Sequence, residues 1–181
     1  MMMKEKGIAG VMRLAWCLAV TTPVAGAATL SEMRLLNASQ KPGMTVTCRE
    51  FMEIPLKGQA EPVRVESVLT GVVLQNDGDR IVFDVTYTQT NAGWQAPFRT
   101  ETYRLTTTLE ATRQKLAVDP ETLSISLPYA RDREAYFLGL LKAHAVSYDE
   151  YSRYQVTSAT DYQILPQPES GDAPVMSCSV R

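Results

Sequence analysis

VRVESVLTGVVLQ (63–75), NDGD (76–79) and RIVFDVTYTQT (80–90) decide the fold of this chain. The first segment is rich in Val and Leu. In the third, Ile81, Phe83, Val85 and Tyr87 alternate with Asp84, Thr86 and Thr88. A period of two is the pattern of a strand that buries one face. Asn76, Asp77, Gly78 and Asp79 supply the turn, because glycine accepts positive φ and Asn or Asp side chains bond their own backbone. The stretch predicts a long β-hairpin.

The same period extends to both sides of the hairpin. Upstream, Met44, Val46, Cys48, Met52 and Ile54 alternate with Thr45, Thr47, Arg49 and Glu53, with Glu50 the one polar exception on the apolar face. Downstream, a turn at Asn91, Ala92 and Gly93 leads past Pro97 into residues 98–109, where Tyr103, Leu105 and Leu109 oppose Thr102, Arg104, Thr106 and Thr108. Residues 115–118 and 122–127, separated by Asp119, Pro120 and Glu121, predict a further short hairpin. Residues 155–165 read as a strand with Val156, Tyr162 and Ile164 on one face. Pro166, Pro168, Gly171 and Pro174 read as an exposed loop before a last strand, 175–180, with Met176, Cys178 and Val180 inward.

Helical spacing is rarer. Thr29 followed by Glu32 has the form of a capping box for a helix over 29–37, with Leu30, Met33 and Leu36 on one face. Residues 130–144 carry Phe137, Leu140, Leu141 and His144 on one stripe, which places His144, the single histidine, as a packed residue at a helix end. A short helical turn is expected over 148–154. The fold class is therefore mainly β: a curved antiparallel sheet or incomplete barrel with one packed helix in the C-terminal half.

The first 27 residues read as an export signal. Lys4 and Lys6 precede a short apolar run over 8–20, and Ala25, Gly26 and Ala27 provide small residues for cleavage, so the mature chain is expected to begin at Ala28. The run is interrupted by Gly10 and Arg13 and is too short to span a bilayer stably. Cys17 follows Trp16, a poor residue before a lipidated cysteine, and is expected to leave with the signal. Residues 28–181 then form a single β-rich domain. Loss of Lys4, Lys6, Arg13 and Glu5 lowers the basic count from 18 to 15 and the acidic count from 20 to 19, a net charge of −4. That balance, without a basic cluster, argues against a nucleic-acid partner.

Cys48 and Cys178 are the remaining thiols. Two cysteines on apolar faces of the first and last strands of an exported chain are expected to form a disulfide. Two distant thiols and one histidine do not make a zinc set, and Asp77 with Asp79 offers too few oxygens for calcium, so neither metal nor cofactor is expected. The segment from Thr47 through Cys48, Arg49, Glu50 and Phe51 to Met52 resembles the cysteine-containing segment of small periplasmic acid-stress chaperones. The resemblance covers six residues; those proteins are short and helical and close a much smaller disulfide loop, so it implies no activity here.

No nucleophile elbow, metal-binding histidine pair, phosphate loop or dinucleotide fingerprint occurs. Six of the eight tyrosines fall between Tyr129 and Tyr162. Among them Tyr148, Tyr151 and Tyr154, spaced by three and accompanied by Arg153, are the candidate binding residues, since tyrosine combines apolar area with a polar tip. The competing reading of the same rings is core packing. The function expected is a periplasmic or secreted non-catalytic binding protein, recognising a protein or a small apolar ligand. The alternatives are a carboxylate-dependent hydrolase or envelope-modifying enzyme, and an accessory subunit of an envelope or secretion assembly.

Overall fold

The computed structural model describes residues 27–55, 61–166 and 175–181. Residues 1–26, which hold Cys17 and all of the expected export signal except Ala27, and most of the proline-rich segment lie outside the described residues.

Helix α1 (Leu30–Ser39) is followed by five long strands: β1 (Thr45–Ile54), β2 (Val63–Asn76), β3 (Arg80–Asn91), β4 (Arg99–Leu109) and β5 (Arg113–Ser126). Helix α2 (Glu134–Ala143), entered through a 3-10 turn at Arg131–Arg133, leads to short strands β6 (Val146–Glu150), β7 (Tyr154–Val156), β8 (Asp161–Ile164) and β9 (Met176–Val180). All nine join one antiparallel sheet in the order β6-β5-β4-β3-β2-β1-β9-β8-β7. The two edge strands belong to one stretch of chain, 146–156, bent by a 3-10 corner at Tyr151–Arg153. Its first half pairs with β5 and its second with β8, so the sheet is a nearly closed barrel whose seam is this corner. A barrel of about eight strands is just wide enough to be filled by side chains or to hold one small ligand.

The alternation read in the sequence sets which residues face inward. Val46 and Cys48 on β1, Val73 on β2, Ile81, Phe83 and Val85 on β3, and Cys178 and Val180 on β9 form one buried cluster. Cys48 and Cys178 are joined by a disulfide. The capping box of α1 is present: Glu32 N donates to Thr29 Oγ1, and the Glu32 carboxylate accepts from Thr29 N at 2.7 Å. The β2–β3 turn has Gly78 at φ 83° and an Asn76 side chain accepting from Gly78 N. That turn also docks α1, because Asn37 Nδ2 donates to Gly78 O and Arg34 forms a two-pronged ion pair with Asp79. Met33 and Leu36 are thereby held inside one end of the barrel.

Four local expectations are corrected. Residues 113–126 form one strand against β4 and not a hairpin. Pro120 cannot donate to a ladder, and the register shifts there, with Thr122 Oγ1 accepting a hydrogen bond from Arg104 N in place of a backbone acceptor. Residues 155–165 are not one strand, since β7 and β8 reverse about a turn in which Thr157 N and Ser158 N donate to Asp161 O. Residues 148–154 are not helical beyond the 3-10 corner, as Tyr148 lies in β6. His144 also departs from its expected burial. It is exposed at the end of α2, its N–H shared between Leu140 O and Leu141 O.

Candidate functional site: a cavity inside the barrel

The barrel holds a partly open cavity of about 330 Å³. Its middle is apolar, walled by Leu69, Phe83, Val85, Leu105, Leu116 and Val118, with the inward side of Cys48 beside them. Gly71 contributes to this wall as well. A Cβ at that position would meet Phe83 Cδ1 at 3.3 Å, so glycine makes room for the ring to lie across β2.

Polar groups gather where α1 plugs the barrel and the seam closes. Asp149 on β6 accepts from Arg153 Nη1, and Arg153 Nε donates to Leu165 O at 2.8 Å. The Tyr154 hydroxyl lies 3.0 Å from Gln114 Oε1 and 3.2 Å from Asp149 Oδ2 and can donate to either. Burial and the adjacent Asp149 charge push the Tyr154 hydroxyl well above its ordinary pKa, so it remains a neutral donor. Burial likewise raises Tyr162 on β8, and burial with the nearby Glu101 pushes Tyr103 up to about 12.

Thr107 stands apart within this group. It is 5 % exposed and borders the cavity from β4, and its Oγ1 is buried with no hydrogen-bond partner among the described residues. Buried polar atoms are ordinarily bonded, and an unpaired one costs stability.

At the other end α2 lies against β5 and covers a cleft of about 420 Å³. Tyr103 and Val118 belong to the walls of both spaces, so the α2 cleft adjoins the cavity. Arg99 and Glu101, paired on β4, line this cleft together with Leu123, Phe137 and His144. None of the α2 side chains is fully buried.

The four residues singled out in the sequence are divided by the fold. Tyr151 is 4 % exposed and seals the seam, its hydroxyl donating to Glu110 O at 2.6 Å. Tyr154 is equally buried and, with Arg153, lines the cavity. Tyr148 points outward, 43 % exposed, with the Arg113 guanidinium 4.0 Å from its ring centre. The three rings therefore do not form one exposed surface. Thr107, Gln114 and Asp149 escaped the sequence reading. Their signal was a polar residue in phase with apolar ones: Thr107 with Tyr103, Leu105 and Leu109, and Gln114 with Leu116 and Val118.

Among the described residues no group of three His, Cys, Asp or Glu side chains is placed to hold a metal, and no helix is long and apolar enough to cross a membrane. Comparison with protein families, with curated proteins and with solved structures gives no match.

Proposed function

We propose that this chain is an exported, non-catalytic binding protein that holds a small apolar ligand inside its barrel. The carrying observation is the cavity itself. Its volume, about 330 Å³, falls within the range of roughly 300–1,000 Å³ typical of small-molecule sites. It is more than twice an engineered apolar cavity of about 150 Å³ that takes up benzene. An apolar wall with a few convergent polar groups is the usual make-up of such a site. The disulfide supports residence in an oxidising compartment, periplasmic or extracellular, in keeping with the signal read in residues 1–27.

The test is a fluorescence titration with N-phenyl-1-naphthylamine, a neutral apolar probe. The expected result is a saturable, single-site rise in emission accompanied by a higher melting temperature, since a ligand that binds only the folded state stabilises it. A linear, non-saturating rise with no thermal shift contradicts the proposal.

A further inference from the structure

We infer, building on the reading of the cavity as a ligand site, that its ligand is an elongated apolar molecule running past Tyr103 and Val118 into the cleft beneath α2, so that the helix covers its far end. Three features of this end of the barrel lead to that class.

The first is the helix. A helix that packs on a sheet buries an apolar stripe. On α2 the stripe of Phe137, Leu140 and Leu141 lines an open cleft of about 420 Å³ instead, and no side chain of the helix is fully buried. Leu140 remains 41 % exposed. The helix is nonetheless tied down on either side: Leu127 N donates to Glu134 Oε1 and Val118 N to Ala145 O, each at 2.7 Å. It bridges the cleft without filling it.

The second is the wall between the two spaces. Thr102 pairs with Ser124 and Arg104 with Asp119, so residues 120–123 of β5 stand opposite Tyr103 alone. The β4–β5 ladder is thus irregular at the residue that lines both the cavity and the cleft. Irregularities of this kind bend a strand and are frequent beside functional sites.

The third is size. On the scale of benzene in a cavity of about 150 Å³, the barrel cavity of about 330 Å³ holds roughly thirteen ligand carbon atoms. A longer hydrocarbon needs further apolar room, which the cleft offers at Leu123, Phe137, Leu140 and Leu141. The charged pair in that cleft, Arg99 and Glu101, is internally compensated. A chain lying there removes apolar surface of its own and of α2 from water.

The test compares two hydrocarbon probes on the purified protein: naphthalene, small enough for the barrel cavity alone, and diphenylhexatriene, a rod too long for it. Wild-type protein is expected to bind both, naphthalene by equilibrium dialysis and diphenylhexatriene by its rise in emission. Hydrogen exchange across residues 134–143 should slow with diphenylhexatriene and not with naphthalene. Leu123→Phe/Leu141→Phe narrows the cleft at residues that do not line the barrel cavity. In this variant, once circular dichroism shows it folded, affinity for diphenylhexatriene should fall at least about tenfold, the loss expected when roughly two methylene-sized groups are driven out. Naphthalene binding should change less than about twofold. Wild-type protein that binds naphthalene but not diphenylhexatriene overturns the inference. So does equal protection of α2 by the two probes, undiminished affinity for diphenylhexatriene in the folded variant, or a parallel loss of both probes there. Those outcomes leave the cavity reading standing. Wild-type protein that takes up neither probe overturns both.

Discussion

Cys48 and Cys178 are directly opposed across the β1–β9 ladder, their Cα atoms 4.0 Å apart, and the bond between them ties the first strand of the barrel to the last. The two residues are 130 positions apart, so the crosslink encloses nearly the whole sheet. Cys48 also forms part of the cavity wall. Covalent closure and the shape of the interior therefore meet at one residue.

Removing that crosslink should be costly. Loop-closure entropy for a loop of more than 100 residues corresponds to about 4–5 kcal/mol. Urea unfolding of the Cys48→Ala/Cys178→Ala variant is expected to show a loss of that order. Alkylation of the denatured, unreduced wild-type protein should label neither cysteine, and labelling of both would contradict the pairing.

Tyr151 and Tyr148 should respond oppositely to truncation. Tyr151→Ala opens the seam and removes a buried ring, an expected loss of about 3–5 kcal/mol. Tyr148→Ala gives up only an exposed ring and its contact with Arg113, about 1 kcal/mol or less. Thermal melts of the two variants separate them.

Thr107→Val should raise the stability of the ligand-free protein. Leaving a buried hydroxyl without a partner costs about 1–3 kcal/mol, and valine of similar shape removes that cost. A gain of about 1 kcal/mol in urea unfolding is expected; a loss of that size would mean that the hydroxyl is bonded.

Alkaline pH should destabilise the barrel through Tyr103. Its folded pKa, about 12, lies above the ordinary 10.0, so the folded state holds the proton more tightly than the unfolded state. The contribution is complete below pH 10 and is lost as pH rises toward 12, with a slope of up to about 1.4 kcal/mol per pH unit. Tyr103→Phe should show a shallower decline than wild type across that window in parallel urea titrations. Identical declines would remove Tyr103 as the source.

Most strands were legible because burial on one face imposes a period of two; β1, β4 and β9 keep it where they line the interior, while β3 also buries Val82 between Ile81 and Phe83. The N-terminal helix was legible from its capping chemistry at Thr29 and Glu32. The misread segments are those where tertiary pairing overrode a local signal. Tyr148, Tyr151 and Tyr154 recur every third residue, a helical spacing, but the chain turns a corner there to close the sheet. Asp119, Pro120 and Glu121 form turn chemistry that the long β4 ladder absorbs as an irregularity. The cavity needs strands distant in sequence to converge, so only its in-phase polar residues, Thr107 and Gln114, left a trace in the one-dimensional pattern.

Probe binding by a filled barrel tests the central claim most directly. Leu105→Phe/Val118→Phe places two larger side chains in the apolar middle of the cavity without touching the barrel exterior. With the variant's fold verified by circular dichroism, its affinity for N-phenyl-1-naphthylamine is expected to fall at least about tenfold below wild type, the loss that follows from about 1.4 kcal/mol of excluded binding. Wild-type affinity in the folded, filled variant would place the probe on the surface and contradict an interior ligand site.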